Sequence, residues 1–313
     1  MPTVMTWGRQ AIETSYVVGH FGGFPLRLSW LPRMVHRYDG VGRVPANLET
    51  IACDLGVGKN MAKSMRAWGR VSGVLKDGGQ ITRLGRRLFV DHDPFLERPE
   101  SIAFLHWQIA ANVERASAVA WAFNRITDDR FTTDDAIGNF VQHLSSAAGA
   151  VYSKGTVRGD VEAVIRMHTP DASGLNEDIG DRFFAQMGLL AEGEHGRRGR
   201  HRRTWENNRS QVTERVVEHA LLSSLAKRRA ESSSLSSLYL NRNALTSPGV
   251  VFGLTSDGFY GSVERICRRP QAPLSLSAMP GGDSMLVACG EWGEICRNGL
   301  TADVDERFFK AGS

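Results

Sequence analysis

Residues 46–75 read ANLETIACDLGVGKNMAKSMRAWGRVSGVL, and this stretch decides how the start of the chain is built. At roughly 100° per residue, a helix beginning near Lys59 carries Val57, Met61, Met65 and Trp68 on one side and Lys59, Lys63, Arg66 and Arg70 on the other. A shorter helix before it offers Leu48, Ile51, Ala52 and Leu55 as the matching apolar surface, with Gly56-Val57-Gly58 as the turn between them. Helix, glycine turn and two-faced helix in that order have the build of a helix-turn-helix, and the outward cations, with Asn60 among them, mark the second helix as one that meets nucleic acid. The plainer alternative is an ordinary helical hairpin whose cations form a solvated face.

Outward from that core, Lys76-Asp77-Gly78-Gly79 lies between Val74-Leu75 and Gln80-Ile81-Thr82, which predicts a tight hairpin serving as a wing. Arg83, Arg86 and Arg87 around Leu84, Leu88 and Phe89 add positive charge where a wing and its supporting strand would meet phosphates. The expected fold is mainly α with small β elements. A DNA-binding domain over 1–125 contains the winged helix-turn-helix at about 45–90, and a mostly helical domain with short strands fills 126–313.

The totals constrain the partners. A formal charge of +4 over 313 residues is modest, so affinity for duplex DNA must come from local patches. One is the helix and wing; the other is Arg197-Arg198-Gly199-Arg200-His201-Arg202-Arg203, read as a mobile loop in which Arg200, Arg202 and Arg203 contact phosphate without reading bases. Cys53, Cys267, Cys289 and Cys296 are widely spaced and predict neither a disulfide framework nor a zinc site. No apolar run approaches about 18 residues, and the opening segment lacks the charged start and apolar core of a leader, so a cytoplasmic protein is expected.

Along the rest of the chain, Val17 to Arg27 reads as an extended, glycine-rich element leading into a short helix at Trp30-Leu31. Pro99 opens a helix through Leu105 and His106, a second carries Trp121, Phe123 and Phe131, and Thr132-Thr133-Asp134-Asp135 starts a third. Amphipathic helices follow at Val157–Met167 and Glu214–Lys227, and Phe183 to Leu190 forms another helical stripe. Val250–Leu254 and Met285–Ala288 read as strands, and Glu231–Ser237 as a linker or a helix start.

Were a chain that meets DNA also to cut it, phosphodiester hydrolysis would need a water activated on a metal held by carboxylates, and cations to offset charge developing on the phosphorus. Asp91, Asp93 and Glu97 lie close together, though Asp-Pro ahead of a helix is more often a cap. Asp160 and Glu162 are two residues apart and so fall on different sides of a helix. His20 and Arg27 suit the chemistry better, the histidine as base or acid and the arginine as a phosphate clamp, against a structural role in which Arg27 bridges to an acidic side chain. Lys154, at the start of a helix, could hold a phosphate against free backbone amides or simply belong to a capped loop. His106 and Trp107 read as core residues.

The order of these motifs resembles the SspB-type DNA nickase family of bacterial DNA phosphorothioation defence systems, formerly a domain of unknown function. His20, Phe24-Pro25-Leu26-Arg27 with Trp30-Leu31, Leu55-Gly56-Val57-Gly58-Lys59-Asn60-Met61, and Asp93-Pro94-Phe95-Leu96-Glu97 with Leu105-His106-Trp107 carry the likeness. Lys154-Gly155-Thr156 with Asp160-Val161, Gly188-Leu189-Leu190 and Ser247-Pro248-Gly249-Val250-Val251-Phe252 extend it over most of the chain. The resemblance implies a Mg²⁺- or Mn²⁺-dependent nick in one strand of double-stranded DNA, with His20, Arg27, Lys154 and Asp160 as catalytic candidates. It also implies a cysteine desulfurase and ATP-dependent sulfur-transfer proteins as partners. Winged-helix architecture adds a possible homodimer, and two competing readings: a non-catalytic adaptor that recruits the sulfur-transfer enzymes, or a transcriptional regulator. Phe21-Gly22-Gly23 stands where the family commonly shows an acidic residue after His20, so any metal ligand at that place is missing here.

Overall fold

Asn47 caps the helix that the leucine-isoleucine pattern predicts: its side chain accepts from the Glu49 N–H at 2.8 Å, and α2 runs Leu48–Leu55. Gly56 closes it in the left-handed conformation (φ 58°), returning its N–H to the Ala52 and Cys53 carbonyls, and the chain turns into α3, Lys59–Val71. Met65 and Trp68 are fully buried, and Val57 and Met61 pack against the same core, as the apolar stripe predicts. Helix α1, Trp30–Tyr38, packs on both.

The computed structural model describes residues 16–19, 21–127, 130–148, 152–170, 179–193, 199–241 and 246–310. After α3 come α4 (Arg83–Arg86), a π-helical turn over Arg87–His92, α5 (Pro99–Ala110) and α6 (Ser117–Arg125). Then follow β1 (Phe131–Thr132), α7 (Thr133–Ala148), α8 (Lys154–His168), a 3₁₀ segment over Ile179–Met187, β2 (Leu190–Glu192) and β3 (Arg200–Arg203). The remainder comprises α9 (Glu214–Arg228), β4 (Ser232–Ser234), α10 (Leu235–Tyr239), α11 (Pro248–Val251), α12 (Ser256–Cys267), β5 (Leu274–Ala278), β6 (Ser284–Ala288), α13 (Glu291–Arg297) and α14 (Thr301–Lys310). The fold is mainly helical with two small three-stranded antiparallel sheets, ordered β1-β3-β2 and β4-β6-β5.

Helix α9 organises the second half. Val216, Val217, Ala220, Leu221, Leu222 and Leu225 are buried on every side of it, so α5, α11, α12, α13 and α14 pack around it as a central helix. Its one buried acid, Glu218, is held by Arg307 at 2.7 Å and by Arg269, as a desolvated carboxylate requires.

Four expectations fail here. The hairpin after α3 reduces to isolated bridges, Leu75 to Ile81 and Arg43 to Gln80, around the turn closed by Lys76 N to the Gln80 carbonyl at 2.9 Å. The expected supporting strand over 83–89 is helical instead, started by Thr82, whose hydroxyl accepts from the Gly85 N–H. Phe131 sits in β1 rather than in the helix of Trp121. Val250-Val251 form α11, because Pro248 presets the first turn and Arg203 caps the Val250 and Val251 carbonyls, which overrides β-branched preference. Met285–Ala288 forms part of β6 as expected, and Ser234 caps α10 within the serine run.

No helix among the described residues is long and apolar enough to cross a membrane.

Candidate functional site

The cations of α3 divide into two kinds. Lys63 is exposed, and Lys59 makes an exposed pair with Glu49 at 3.0 Å. Such a surface pair contributes only about 0–1 kcal/mol, so a phosphate competes with it readily. Asn60 is also exposed on the first turn. Arg66 instead folds back, its Nη1 donating to the Ala46 carbonyl at 2.6 Å, and Arg70 donates to the Asp77 carbonyl at 2.9 Å. These two brace the start of α2 and the turn after α3. Arg115 forms an ion pair with Asp77, giving that turn a second brace.

Arg83 and Arg86 are exposed yet engaged. Arg83 pairs with Glu306 on α14 at 2.7 Å, and Arg86 with Asp39 at 3.3 Å. They tie the first helices to the last one.

In the arginine-rich stretch, residues 194–198 lie outside the described residues, and Arg200–Arg203 is an ordered strand. Its alternation leaves Arg200 and Arg202 exposed and turns His201 and Arg203 inward. Arg203 is 2% exposed, donates to the Leu189 carbonyl at 3.2 Å and lies over the Phe123 ring at 4.7 Å. Burial, with Arg209 nearby, lowers its pKa to about 9. It is a structural pin, and a phosphate-contacting role for it is corrected by its burial.

Of the candidate chemical residues, Asp160 is the one that an N-terminal strap holds directly. Gly19 donates its N–H to Asp160 Oδ2 at 2.6 Å. Two residues later the strap turns to α3, where Ser64 Oγ donates to the Phe21 carbonyl at 2.8 Å and Phe21 stacks on Trp68, centroids 3.9 Å apart. Trp68 Nε1 then donates to the Phe24 carbonyl at 3.0 Å. The strap lies against α8 where two glycines meet; a Cβ on Gly159 would come within 3.4 Å of the Gly23 Cα. The strap thus joins the cation-bearing helix to Asp160.

Asp160 is 1% exposed, and its Oδ1 has no hydrogen-bond partner among the described residues. Burial pushes its pKa up to about 6, against the opposing pull of the Gly19 and Phe21 N–H groups. Arg27 stands further along the strap with its guanidinium 5.7 Å from the centre of the Trp30 ring. Lys154 is exposed at the first residue of α8, six positions from Asp160 and on a different face. His20 lies outside the described residues. Asp93 is a cap, accepting from the Glu97 and Arg98 N–H groups at 2.9 Å.

A divalent cation in such a site commonly takes one or two protein carboxylates, with substrate phosphate and water completing its shell. The unpartnered, buried Oδ1 of Asp160 fits the protein share of that set. Among the described residues no group of three or more His, Cys, Asp or Glu side chains converges as a metal site. His106 is buried as expected, but neither ring nitrogen finds a hydrogen-bond partner among the described residues; Phe123, Phe184 and His168 surround it, and burial holds it well towards the neutral form.

Sequence reasoning missed the strap's anchors, Ser64 and Trp68. Both lie on the buried side of α3 at i and i+4, a spacing that reads as ordinary core.

A comparison with curated proteins returned no match. Two solved structures are similar in fold: an SspB crystal structure at TM-score 0.74 and 22% identity, covering 94% of this chain and 90% of that one, and a magnesium ion-bound SspB crystal structure at TM-score 0.74 and 20% identity, covering 97% and 99%. The family described as protein of unknown function (DUF4007) matches residues 19–291, and the chain belongs to that family.

Proposed function

We propose that this chain nicks one strand of duplex DNA within a phosphorothioate-modification system, docking on the duplex through α3 and working at Asp160. The observation that carries the reading is the strap: one segment bonds the buried carboxylate of Asp160 at Gly19 and grips α3 through Phe21 and Phe24. Binding of a duplex by α3 is thereby coupled mechanically to the acid. The fold shared with a magnesium ion-bound SspB structure supports the same reading and a divalent cation.

Lys59, Asn60 and Lys63 meet the duplex first, and the exposed Arg200 and Arg202 of β3 supply further cations for phosphate. Arg66 and Arg70 keep the helix and its turn in register, and the bridged turn at 76–79 acts as a short wing. The strap covers Asp160, so substrate reaches this carboxylate as the Gly19 bond opens. Arg27 holds the phosphate that is cut, Lys154 an adjacent one, and His20 moves the proton of the attacking water or the leaving oxygen. A bound Mg²⁺ or Mn²⁺, held by Asp160, supplies Lewis acidity and a lowered water pKa. Water adds to phosphorus as one P–O bond breaks, and the hydroxyl and phosphate ends left at the nick then serve the desulfurase-fed sulfur-transfer partners.

Supercoiled plasmid tests this. With Mg²⁺ or Mn²⁺ the protein converts it to open circle, EDTA stops the conversion, and Arg27→Ala and Asp160→Asn lose it. Plasmid binding with no relaxation in either metal would make the chain an adaptor and sink the nickase reading.

A further inference from the structure

Beside the strap, at the end of α6, the described structure holds a cleft of 550 Å³ lined by Tyr16, Arg125, Thr127, His143 and Ser146. A second lobe of 370 Å³ shares Arg125, His143 and Ser146 and adds Trp121, Asn139 and Gln142. A pocket of this size suits a small ligand.

Its chemistry is lopsided. Arg125 is half-buried and forms no ion pair with a carboxylate among the described residues; its Nη1 donates to the Asn241 carbonyl at 3.1 Å. Burial lowers its pKa, and among the described residues the Tyr16 phenol is the group that opposes this. A partly desolvated guanidinium with no counter-charge among the described residues is an arrangement that an anion relieves. His143, whose Nε2 is buried without a partner among the described residues, stands edge-on to Tyr16 with ring centroids 5.5 Å apart, giving the cleft an aromatic wall. On α7, Asn139, Gln142 and Ser146 follow one another at three- and four-residue spacing, so a polar stripe of amides and a hydroxyl faces the lobe beside Ala136, away from the buried Phe140 and Leu144. Each amide offers both donors and an acceptor, the pattern that a base edge takes.

The position is equally telling. Tyr16 and Gly19 are three residues apart on the strap, which spans at most about 10 Å. Val17 N–H is held by Ser117 Oγ at 2.8 Å and Gly19 N–H by Asp160, so this part of the strap is fixed at both ends. The cleft therefore opens on the order of 10 Å from the candidate carboxylate, the reach of roughly one or two nucleotides along a strand.

We infer that this cleft binds one deoxynucleotide of the strand being cut, its phosphate on Arg125 and its base against Tyr16 and the Asn139 and Gln142 amides. The inference rests on the proposed nicking reading and adds to it a subsite that registers the strand before cleavage.

The test is equilibrium binding of the four 5′-deoxynucleoside monophosphates to the full chain, read by calorimetry, with inorganic phosphate and the matching nucleosides as separate arms. Saturable mononucleotide binding is expected, weakened at least roughly tenfold by Arg125→Gln, with nucleosides weaker still. The surface double variant Asn139→Ala/Gln142→Ala, chosen to leave the fold intact, should narrow the differences among the four bases. No saturable binding up to about 10 mM overturns the inference, as does binding that Arg125→Gln leaves unchanged in a protein with wild-type melting. Phosphate binding as tight as the nucleotides overturns the base contact. Plasmid nicking separates the two failures. Loss in Asp160→Asn with full activity in Arg125→Gln keeps the nickase and rejects the cleft. Mononucleotide binding with undiminished nicking by Asp160→Asn rejects the assigned acid and leaves the cleft standing.

Discussion

Replacing Asp160 by Asn should make the protein relatively more stable as pH rises, and the size of that change follows from one buried carboxyl. Asp160 is 1% exposed, and burial raises its pKa from 3.8 to about 6. A raised folded-state pKa means that the folded protein holds this proton more tightly than the unfolded chain does. Its stabilising contribution is therefore complete below about pH 4 and is lost as pH climbs through about 6. The shift of about two units corresponds to about 3 kcal/mol. An Asn at this position stays neutral throughout and still accepts the Gly19 N–H bond. Between pH 4 and pH 8 the stability of Asp160→Asn relative to wild type should rise by about 3 kcal/mol, and the paired comparison cancels every other titration. Urea unfolding of both proteins in EDTA, at half-unit pH steps, gives the curve directly. A difference that stays flat across this range, or that moves in favour of wild type at high pH, refutes the assignment of a buried acid whose proton the fold retains.

Other consequences are separable. Arg203→Met should cost about 3–5 kcal/mol, seen as a large fall in melting temperature, because the Leu189, Val250 and Val251 carbonyls lose their donor. Gly79→Ala should destabilise by about 1–3 kcal/mol, since φ is 85° and the new Cβ would meet the Val44 carbonyl oxygen at 2.6 Å; unchanged melting would contradict the turn geometry. Lys59→Ala/Lys63→Ala should weaken duplex binding and lower the salt slope by about two, without altering stability, whereas Arg66→Ala should lower stability as well. Mg²⁺ at about ten times its dissociation constant should stabilise wild type by about 1.4 kcal/mol at pH 8 and leave Asp160→Asn unmoved.

The parts of the fold that could be read in advance are those with a strict period. The two stripes of α3, the Asn47 cap and the Gly56 stop are local rules, and the helices of Leu48–Leu55 and Lys59–Val71 follow from them. Helix α7 was legible for the same reason: Thr132 and Asp135 cap each other reciprocally, with Asp135 N–H donating to Thr132 Oγ1 at 3.0 Å and Thr132 N–H to Asp135 Oδ2 at 2.9 Å. What escaped was set by partners far away in sequence. Residues 200–203 look alike as a basic run, but pairing with β1 and β2 makes them a strand whose alternation buries His201 and Arg203. Val250 and Val251 have strand character until Arg203, 47 and 48 residues distant, caps their carbonyls. The hairpin signal at Lys76–Gly79 was sound for the turn and too generous for the strands, because Arg43, from before α2, pairs with Gln80 beside it.

The candidate site follows the same division. The residue types at Arg27 and Asp160 were recognisable, and no period in the sequence reveals that a strap bonds Asp160 at one point and Ser64 and Trp68 at others. The Arg125 cleft left no signal, since its residues come from Tyr16, α6 and α7 and make no motif together.

The most direct test of the central claim is metal-dependent relaxation of supercoiled plasmid by wild type and Asp160→Asn, side by side. Open circles from wild type with Mg²⁺, none with EDTA, and none from a stably folded Asp160→Asn are the predicted result. Equal relaxation by the two proteins would contradict the claim that this buried carboxylate, reached through the strap from the DNA-docking helix, does the cutting.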